Sequence, residues 1–343
     1  MKFLIAGLGS IGRRHLRNLL ALGERDITLL RTFHSTLPDD ELAGFPVETD
    51  LQSALAQRPD AVIVANPTAH HLDVAIPAAA AGCHLLLEKP VSHSLERLAE
   101  FQQIVEVSGV RVLVGYQYRF HPGLQQARRL LAEGAIGRPL SVHAHWGEYL
   151  PGWHPWEDYR LGYSARADLG GGVVLTLSHP IDYLRWMLGD IHSLWAFTGT
   201  QGDLKLDVED TAVIGLRFAN GVLGSLYLDY NQRPPAHRLE VIGTQGTLRW
   251  DNNDGQVALY HPGNPAAPVA DPGAWQVYPA VPEPIYERNA MFLAEMSHFL
   301  SVVRGETLPV CTLEDGIMAQ RLVSGVLESS SFGLMYECYQ GIE

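Results

Sequence analysis

Residues 3–12 read Phe-Leu-Ile-Ala-Gly-Leu-Gly-Ser-Ile-Gly, an apolar run that passes into the spacing Gly-x-Gly-x-x-Gly. The pattern predicts a strand, a tight turn and the start of a helix, as in dinucleotide-binding units. The first glycine permits the turn, the second lets a pyrophosphate approach the backbone, and the third lets the helix pack on the strand. A glycine turn without a ligand is the alternative interpretation. The expected cofactor contacts are Gly7, Gly9, Ser10, Ile11 and Gly12.

Short apolar runs alternate with amphipathic stretches through residues 1–120, which favours a doubly wound parallel sheet of the α/β class. The predicted strands are Lys2–Ala6, Ile27–Leu30, Ala61–Ala65, His84–Leu87 and Arg111–Gly115. The predicted helices are Ile11–Leu22, Leu72–Ala81 and Leu95–Ser108. Residues 1–120 are therefore predicted to form an NAD(P)-binding domain.

Residues 121–343 show a different pattern and are predicted to form an α+β domain with an open, mostly antiparallel sheet. Two hairpins are expected, 212–230 around an Asn-Gly turn and 237–250 around a Gly-Thr-Gln-Gly turn. Residues 262–284 hold seven prolines and are predicted to be a loop. Helices are expected at Met291–Val303 and Asp315–Ser331.

Composition limits the class of partner. The net charge of −13 argues against nucleic acid or an anionic membrane surface. Three scattered cysteines indicate a reducing compartment and no metal site. The chain has no apolar run long enough for a membrane span and no signal-peptide core, so we expect a cytoplasmic protein.

The end of the second predicted strand bears on cofactor choice. A carboxylate that grips the ribose hydroxyls of NAD is usual there, whereas this strand ends in Arg31-Thr32. An arginine suits the 2′-phosphate of NADP(H) through charge-assisted hydrogen bonds. We therefore expect NADP(H) to be favoured, with NAD(H) possible if Arg31 points to solvent.

The tripeptide Glu88-Lys89-Pro90 follows the apolar run Leu-Leu-Leu of a predicted parallel strand. The carboxyl ends of such strands form the crevice where cofactor and substrate meet. Lys89 is therefore a candidate catalytic residue, and a surface lysine that ends the strand is the alternative.

The ordered motifs resemble those of the glucose-fructose oxidoreductase / inositol dehydrogenase / rhizopine-catabolism (Gfo/Idh/MocA) family along essentially the whole chain. They are the glycine loop followed by His15, the loop Asn66–His71, Glu88-Lys89-Pro90, Gly115–Phe120, Gly170–Val173 and His179–Asp182. The resemblance implies a Rossmann domain and a second α/β domain whose open sheet often mediates homodimers or homotetramers. It also implies NAD(P)-dependent redox chemistry on sugars, polyols or sugar nucleotides.

Residue by residue, the resemblance implies that Lys89 contacts the reacting oxygen and that His179 transfers a proton. Pro90 matches a proline that is often cis. Further implied cofactor contacts are Thr32, Asn66, Pro67, Thr68, His71, Glu88, Lys89 and Gln117. The substrate-binding candidates beside Lys89 and His179 are Arg119, Thr176 and Asp182. Many members carry an aspartate before the histidine; this chain lacks it, and Thr176 is the nearest polar substitute.

The segment from residue 149 to 163 is rich in aromatic residues, which stack on the apolar faces of sugar rings. Its substrate-binding candidates are Trp153, Tyr159, Arg160 and Tyr163. An oligomer contact is an equally good interpretation of this segment.

Three functions remain open at this point. One is an NAD(P)-dependent dehydrogenase or reductase acting on CH–OH groups of a carbohydrate. Another is a glycoside-cleaving enzyme that keeps NAD bound and oxidises its substrate transiently. The third is a non-catalytic cofactor-sensing regulator, against which the presence of both Lys89 and His179 argues.

Overall fold

A computed structural model of the chain describes residues 1–32, 37–155, 157–263, 273–278 and 289–338. Contacts divide the chain into two compact units. The first contains residues 1–117, 160–171 and 289–320, and the second contains residues 118–159, 172–288 and 321–343. The single boundary predicted after residue 120 differs from this division, because two later segments pack with the N-terminal residues. The functional labels of the two predicted domains stay predictions.

The described part of residues 1–120 holds six strands and four α-helices in alternating order. These are β1 Lys2–Ala6, α1 Ser10–Ala21, β2 Asp26–Leu30, β3 Val47–Glu48, α2 Leu51–Ala56, β4 Ala61–Val64, α3 His71–Ala80, β5 His84–Glu88, α4 Leu98–Ser108 and β6 Val112–Gly115. All pairs are parallel and the strand order is β3-β2-β1-β4-β5-β6. The predicted doubly wound sheet is confirmed; the short elements β3 and α2 were not predicted.

The apolar runs form this sheet because it is covered on both faces. Every residue of β4 and β6 is buried. Part of the cover comes from the distant part of the chain, through Met296, Phe299 and Leu300. The core of the first unit thus includes residues 296–300, which were predicted to belong to the second domain.

The rest of the described chain holds five α-helices and nine strands. These are α5 Pro122–Ala132, β7 Pro139–Gly147, α6 Val173–Thr176, α7 His179–Leu188, β8 Ile191–Gly199, β9 Thr211–Phe218, β10 Leu223–Asp229, β11 Ala236–Gly243, β12 Thr247–Asp251, β13 Val257–His261, β14 Ala274–Tyr278, α8 Asn289–Arg304, α9 Leu313–Phe332 and β15 Tyr336–Glu337. No helix among the described residues is long and apolar enough to cross a membrane.

The second sheet runs β14-β13-β12-β11-β7-β10-β9-β8-β15, and β7/β10 is its parallel pair. Both predicted hairpins are present, as β9/β10 and β11/β12. In β9 exposed and buried residues alternate, so one face of the sheet is covered and the other is open. The predicted loop 262–284 is corrected by β14, which pairs with β13; residues 264–272 and 279–284 lie outside the described residues.

Candidate active site

The glycine loop has the geometry of an anion-binding turn. Gly7 has φ +94°, and a side chain on Gly7 or Gly12 would collide with neighbouring backbone. A Cβ on Gly9, by contrast, would meet nothing within 4 Å. Gly9 is the N-cap of α1, and no side chain caps this helix and no acid lies in its first turn. Its amides and dipole are thus available to a pyrophosphate that fits the space beside Gly9.

At the end of β2, the structure places Arg31 against Asp39. The Arg31 guanidinium donates to a carboxylate oxygen of Asp39 at 2.6 Å. Arg31 is 8% exposed, whereas the Asp39 side chain is 56% exposed. Thr32 is exposed. Sequence reasoning identified Arg31 but missed Asp39, which lies eight residues further along the chain and belongs to no recognisable motif.

The loops after β4 and β6 place polar side chains near the carboxyl edge of the sheet. Thr68 and Gln117 are buried. In the part of the chain that the structure describes, the buried amide oxygens of Asn66 and Gln117 have no hydrogen-bond partner. Buried polar atoms are normally paired, so these oxygens fit donors that a bound ligand would bring.

His71 lies between two backbone carbonyl oxygens. It is buried, and its ring nitrogens lie 2.8 Å from the carbonyl oxygen of Pro90 and 3.0 Å from that of Asn66. Burial lowers the pKa of His71 to about 4, so the imidazole is neutral. A neutral imidazole donates to one of these two carbonyls, so His71 tethers its own loop, and its contact with the cofactor stays a prediction.

Lys89 follows β5, and its peptide bond to Pro90 is cis, as the resemblance implies. Burial lowers the pKa of Lys89 to about 8, and the charge of Glu88 opposes this shift. Glu88 is itself buried and lies 2.8 Å from Nε2 of His15. Burial favours its protonated form, but the hydrogen bond and charge of His15, with the charge of Lys89, lower the pKa of Glu88 overall. A half-buried amine whose pKa is near neutrality suits acid–base chemistry.

In the second unit His179 begins α7 and is buried among aromatic rings. Its ring centroid lies 4.9 Å from that of Tyr118 and 5.4 Å from that of Trp146. The Trp146 ring also stacks on His237 at 4.2 Å. Sequence reasoning missed this aromatic cluster, because its members come from separate elements that only the folded sheet brings together.

The predicted substrate-binding residues Arg119 and Asp182 contact each other. The guanidinium donates to both carboxylate oxygens, at 2.9 and 2.6 Å, and each side chain is 2% exposed. This bidentate buried pair links α7 to the turn after β6. The substrate contacts of Arg119 and Asp182 stay predictions.

The remaining candidates lie in different units. Thr176 ends α6 and is buried in the second unit. In the same unit, Trp153 packs edge-on against Tyr230 at 5.6 Å, and the Tyr159 hydroxyl donates to the carbonyl of Leu204 at 2.9 Å. Arg160 and the exposed Tyr163 belong to the first unit. Their substrate contacts stay predictions.

Comparison with known proteins identifies the family and the fold. Residues 1–116 match the model of an oxidoreductase family with an NAD-binding Rossmann fold, and residues 124–249 match the GFO/IDH/MocA C-terminal domain. A 1,5-anhydro-D-fructose reductase of Ensifer adhaerens is 29% identical over 289 residues, covering 82% of this chain and 81% of that protein. A 2,7-anhydro-N-acetylneuraminate hydratase of Escherichia coli is 29% identical over 198 residues, covering 56% of this chain and 51% of that protein.

Among solved structures, a levoglucosan dehydrogenase in complex with NADH superposes with a TM-score of 0.87 at 21% identity. The alignment covers 99% of this chain and 100% of that one, which shows a shared fold. With the two family models covering both halves of the sequence in order, the chain belongs to the Gfo/Idh/MocA family of NAD(P)-dependent oxidoreductases.

Proposed function

We propose that this oxidoreductase transfers a hydride between a nicotinamide cofactor and a hydroxyl or carbonyl carbon of a sugar, polyol or sugar nucleotide. The observation that carries the proposal is Lys89, a half-buried amine with a pKa of about 8, at the carboxyl edge of a sheet that also bears an open glycine loop. The relatives named for anhydrofructose, an anhydro-neuraminate and levoglucosan support a carbohydrate substrate.

The residues present fit a dinucleotide, which when bound would supply or accept the hydride. The amides around Gly9 would hold its pyrophosphate, and the unpaired oxygens of Asn66 and Gln117 would accept donors from its nicotinamide half. The Lys89 ammonium would stabilise the negative charge that develops on the substrate oxygen. His179 would supply the proton that completes reduction, or remove it in the reverse direction.

We infer that the cofactor is NADP(H) in preference to NAD(H). The support is the guanidinium at the end of β2, where NAD-binding units usually carry a ribose-binding carboxylate. The variant Arg31→Asp should reverse the ratio of NADPH to NADH affinity. A ratio that stays constant in this variant would refute the preference.

We also infer a homodimer or homotetramer formed through the open face of the second sheet. Large apolar side chains lie next to one another on this face, as Phe197 faces Val213 and Val213 faces Tyr227 in the strand register. They are exposed, as are Trp195 and Leu223 on the same strands. An apolar patch of this kind is typical of an interface. Phe197→Asp should yield monomers in sedimentation experiments, whereas Leu308→Asp, an exposed position in the other unit, should not.

The test of the reaction is a spectrophotometric screen of NADP(H) and NAD(H) against sugars, keto-sugars, inositols and sugar nucleotides. Lys89→Gln should bind NADPH normally and lose turnover, because it removes the charge but keeps the polar chain. Lys205→Gln is the matched control, since Lys205 is exposed in the second unit. Full activity of Lys89→Gln would remove Lys89 from the mechanism.

A second candidate is an enzyme that cleaves or hydrates a glycosidic ether while its cofactor is only transiently reduced. The similarity to a hydratase favours it, because addition of water involves no net oxidation. Product formation without net change of the nicotinamide absorbance, dependent on both NAD(H) and Lys89, would support this second candidate over the first.

A further inference from the structure

Two arginines converge on one carboxylate beside the glycine loop. Arg31 donates to an oxygen of Asp39 at 2.6 Å, and a nitrogen of Arg13 lies 3.5 Å from the same oxygen. Arg13 is buried in α1, one residue after Gly12. One exposed carboxylate therefore faces two guanidinium groups, and the cluster keeps a net positive charge.

Arg13 is fixed in this position by backbone acceptors. It donates to the carbonyl of Leu8 inside the glycine loop at 2.9 Å, and to the carbonyls of Leu37 and Pro38. These bonds tie the segment that carries Asp39 to the loop that would hold a pyrophosphate. The two arginines are thus preorganised at the adenosine end of the proposed cofactor site.

The two arginines hold the Asp39 carboxylate, which makes no capping hydrogen bond to Asp40–Leu42, the single helical turn that follows it. The Asp39 side chain is mostly exposed, whereas Arg31 and Arg13 are buried. Asp39 can therefore move into water only when another anion takes its place, since a buried charge left uncompensated is costly.

We propose that Asp39 is an internal counter-ion that occupies the anion site of Arg31 and Arg13, and that the 2′-phosphate of NADP(H) displaces it. The proposal deepens the proposed function and rests on it. NAD(H), which has no 2′-phosphate, binds with Asp39 in place. Asp39 then competes with one cofactor and leaves the other unaffected, so this residue sets how strongly the enzyme discriminates between them.

The competition predicts an unusual direction of change. Removal of an acid from a protein with a net charge of −13 strengthens binding of any anion slightly, through the long-range field. Loss of the Asp39 charge should strengthen NADPH binding more than this and leave NADH binding almost unchanged. The reason is that the 2′-phosphate no longer has to replace a carboxylate. We expect Asp39→Asn to tighten NADPH binding about tenfold, equivalent to about 1.4 kcal/mol, and to change NADH binding less than about twofold.

The experiment is calorimetric titration of the full chain with NADPH and NADH, for wild type, Asp39→Asn and Asp40→Asn. The last variant is the matched control, because Asp40 is the exposed neighbour and its replacement changes the net charge equally. Adenosine 2′,5′-bisphosphate and adenosine 5′-monophosphate serve as probes that lack the nicotinamide and isolate the adenosine end. The same tenfold effect should appear for the bisphosphate alone.

Each outcome separates this inference from the proposed function. If Asp39→Asn and Asp40→Asn change NADPH affinity equally, or not at all, Asp39 does not compete with the 2′-phosphate. The proposal that the protein binds the cofactor would be unaffected by this result. Weaker NADH binding in Asp39→Asn would overturn the competition too, since Asp39 would then bind the ribose hydroxyls of NAD. If wild type binds neither dinucleotide, the proposed function fails together with the inference.

Discussion

The pH dependence of carbonyl reduction tests whether Lys89 acts through its ammonium group. Burial lowers the pKa of Lys89 from 10.5 to about 8. A lysine with a lowered pKa is charged below that value and neutral above it. Reduction needs the charged form, so kcat/KM should be constant at lower pH and fall as the pH rises through about 8.

The magnitude follows from the two pKa values. At pH 8 about half of the molecules carry a charged Lys89, whereas a lysine with an ordinary pKa would be almost fully charged. The charge of Glu88 raises the pKa of Lys89, so its removal lowers this pKa further. With a change of about one unit for a close opposite charge, Glu88→Gln should lower kcat/KM roughly fivefold at pH 8 and hardly at pH 6.

The assay is the initial rate of cofactor oxidation with a carbonyl substrate, between about pH 6 and pH 10. Glu96→Gln is the control, because Glu96 is an exposed acid of the same unit whose replacement changes the net charge equally. The chain has three lysines, at positions 2, 89 and 205, so NMR of the methylated protein can follow the pKa of Lys89 separately. An alkaline limb that Glu88→Gln leaves in place, with circular dichroism unchanged, would refute the reasoning.

Three further changes have expected outcomes. Gly9→Ala should keep the melting temperature, because its Cβ meets open space, and should weaken NADPH binding roughly tenfold. Gly12→Ala should destabilise the fold, because its Cβ collides with the Gly7 carbonyl. Calorimetry of both variants measures both effects. Asp182→Asn should cost about 3–5 kcal/mol in urea unfolding, because it removes the carboxylate charge that pairs with the buried Arg119. An apolar pair at both positions should recover most of that loss. Glu295 is buried without a hydrogen-bond partner among the described residues, and burial raises its pKa. The folded state therefore holds a proton that the unfolded chain releases above about pH 4.5. Glu295→Gln should raise the melting temperature at pH 8, and its difference from wild type should vanish in acid.

Local pattern was enough to predict the first sheet and both hairpins. The strand β1 follows the predicted bounds, and β4, β5 and β6 differ from them by one residue at one end. In these segments burial on both faces gives an apolar run that is visible without tertiary information. The strand β14 was missed because prolines flank it on both sides and the pairing with β13 that stabilises it is not a local signal.

The sequence predicted the motifs of the candidate site but not which charged residues pair with one another. Arg31 was predicted to contact the cofactor and Arg119 the substrate, and each has an acidic partner, Asp39 and Asp182. The second pair is separated by 63 positions, and no spacing rule connects residues so far apart. A sequence shows which charged groups a chain carries, whereas their partners depend on packing.

His15, which follows the glycine loop, and Glu88, of the Glu-Lys-Pro tripeptide, belong to two separate motifs that the fold brings into contact. They are 73 positions apart, and their side chains meet at 2.8 Å between α1 and the end of β5. Glu88 is the last residue of β5, and Lys89 follows it directly; burial lowers the pKa of Lys89, while the charge of Glu88 raises it. Glu88 therefore links the two motifs, because it contacts His15 of the helix that follows the glycine loop and also raises the pKa of the neighbouring Lys89.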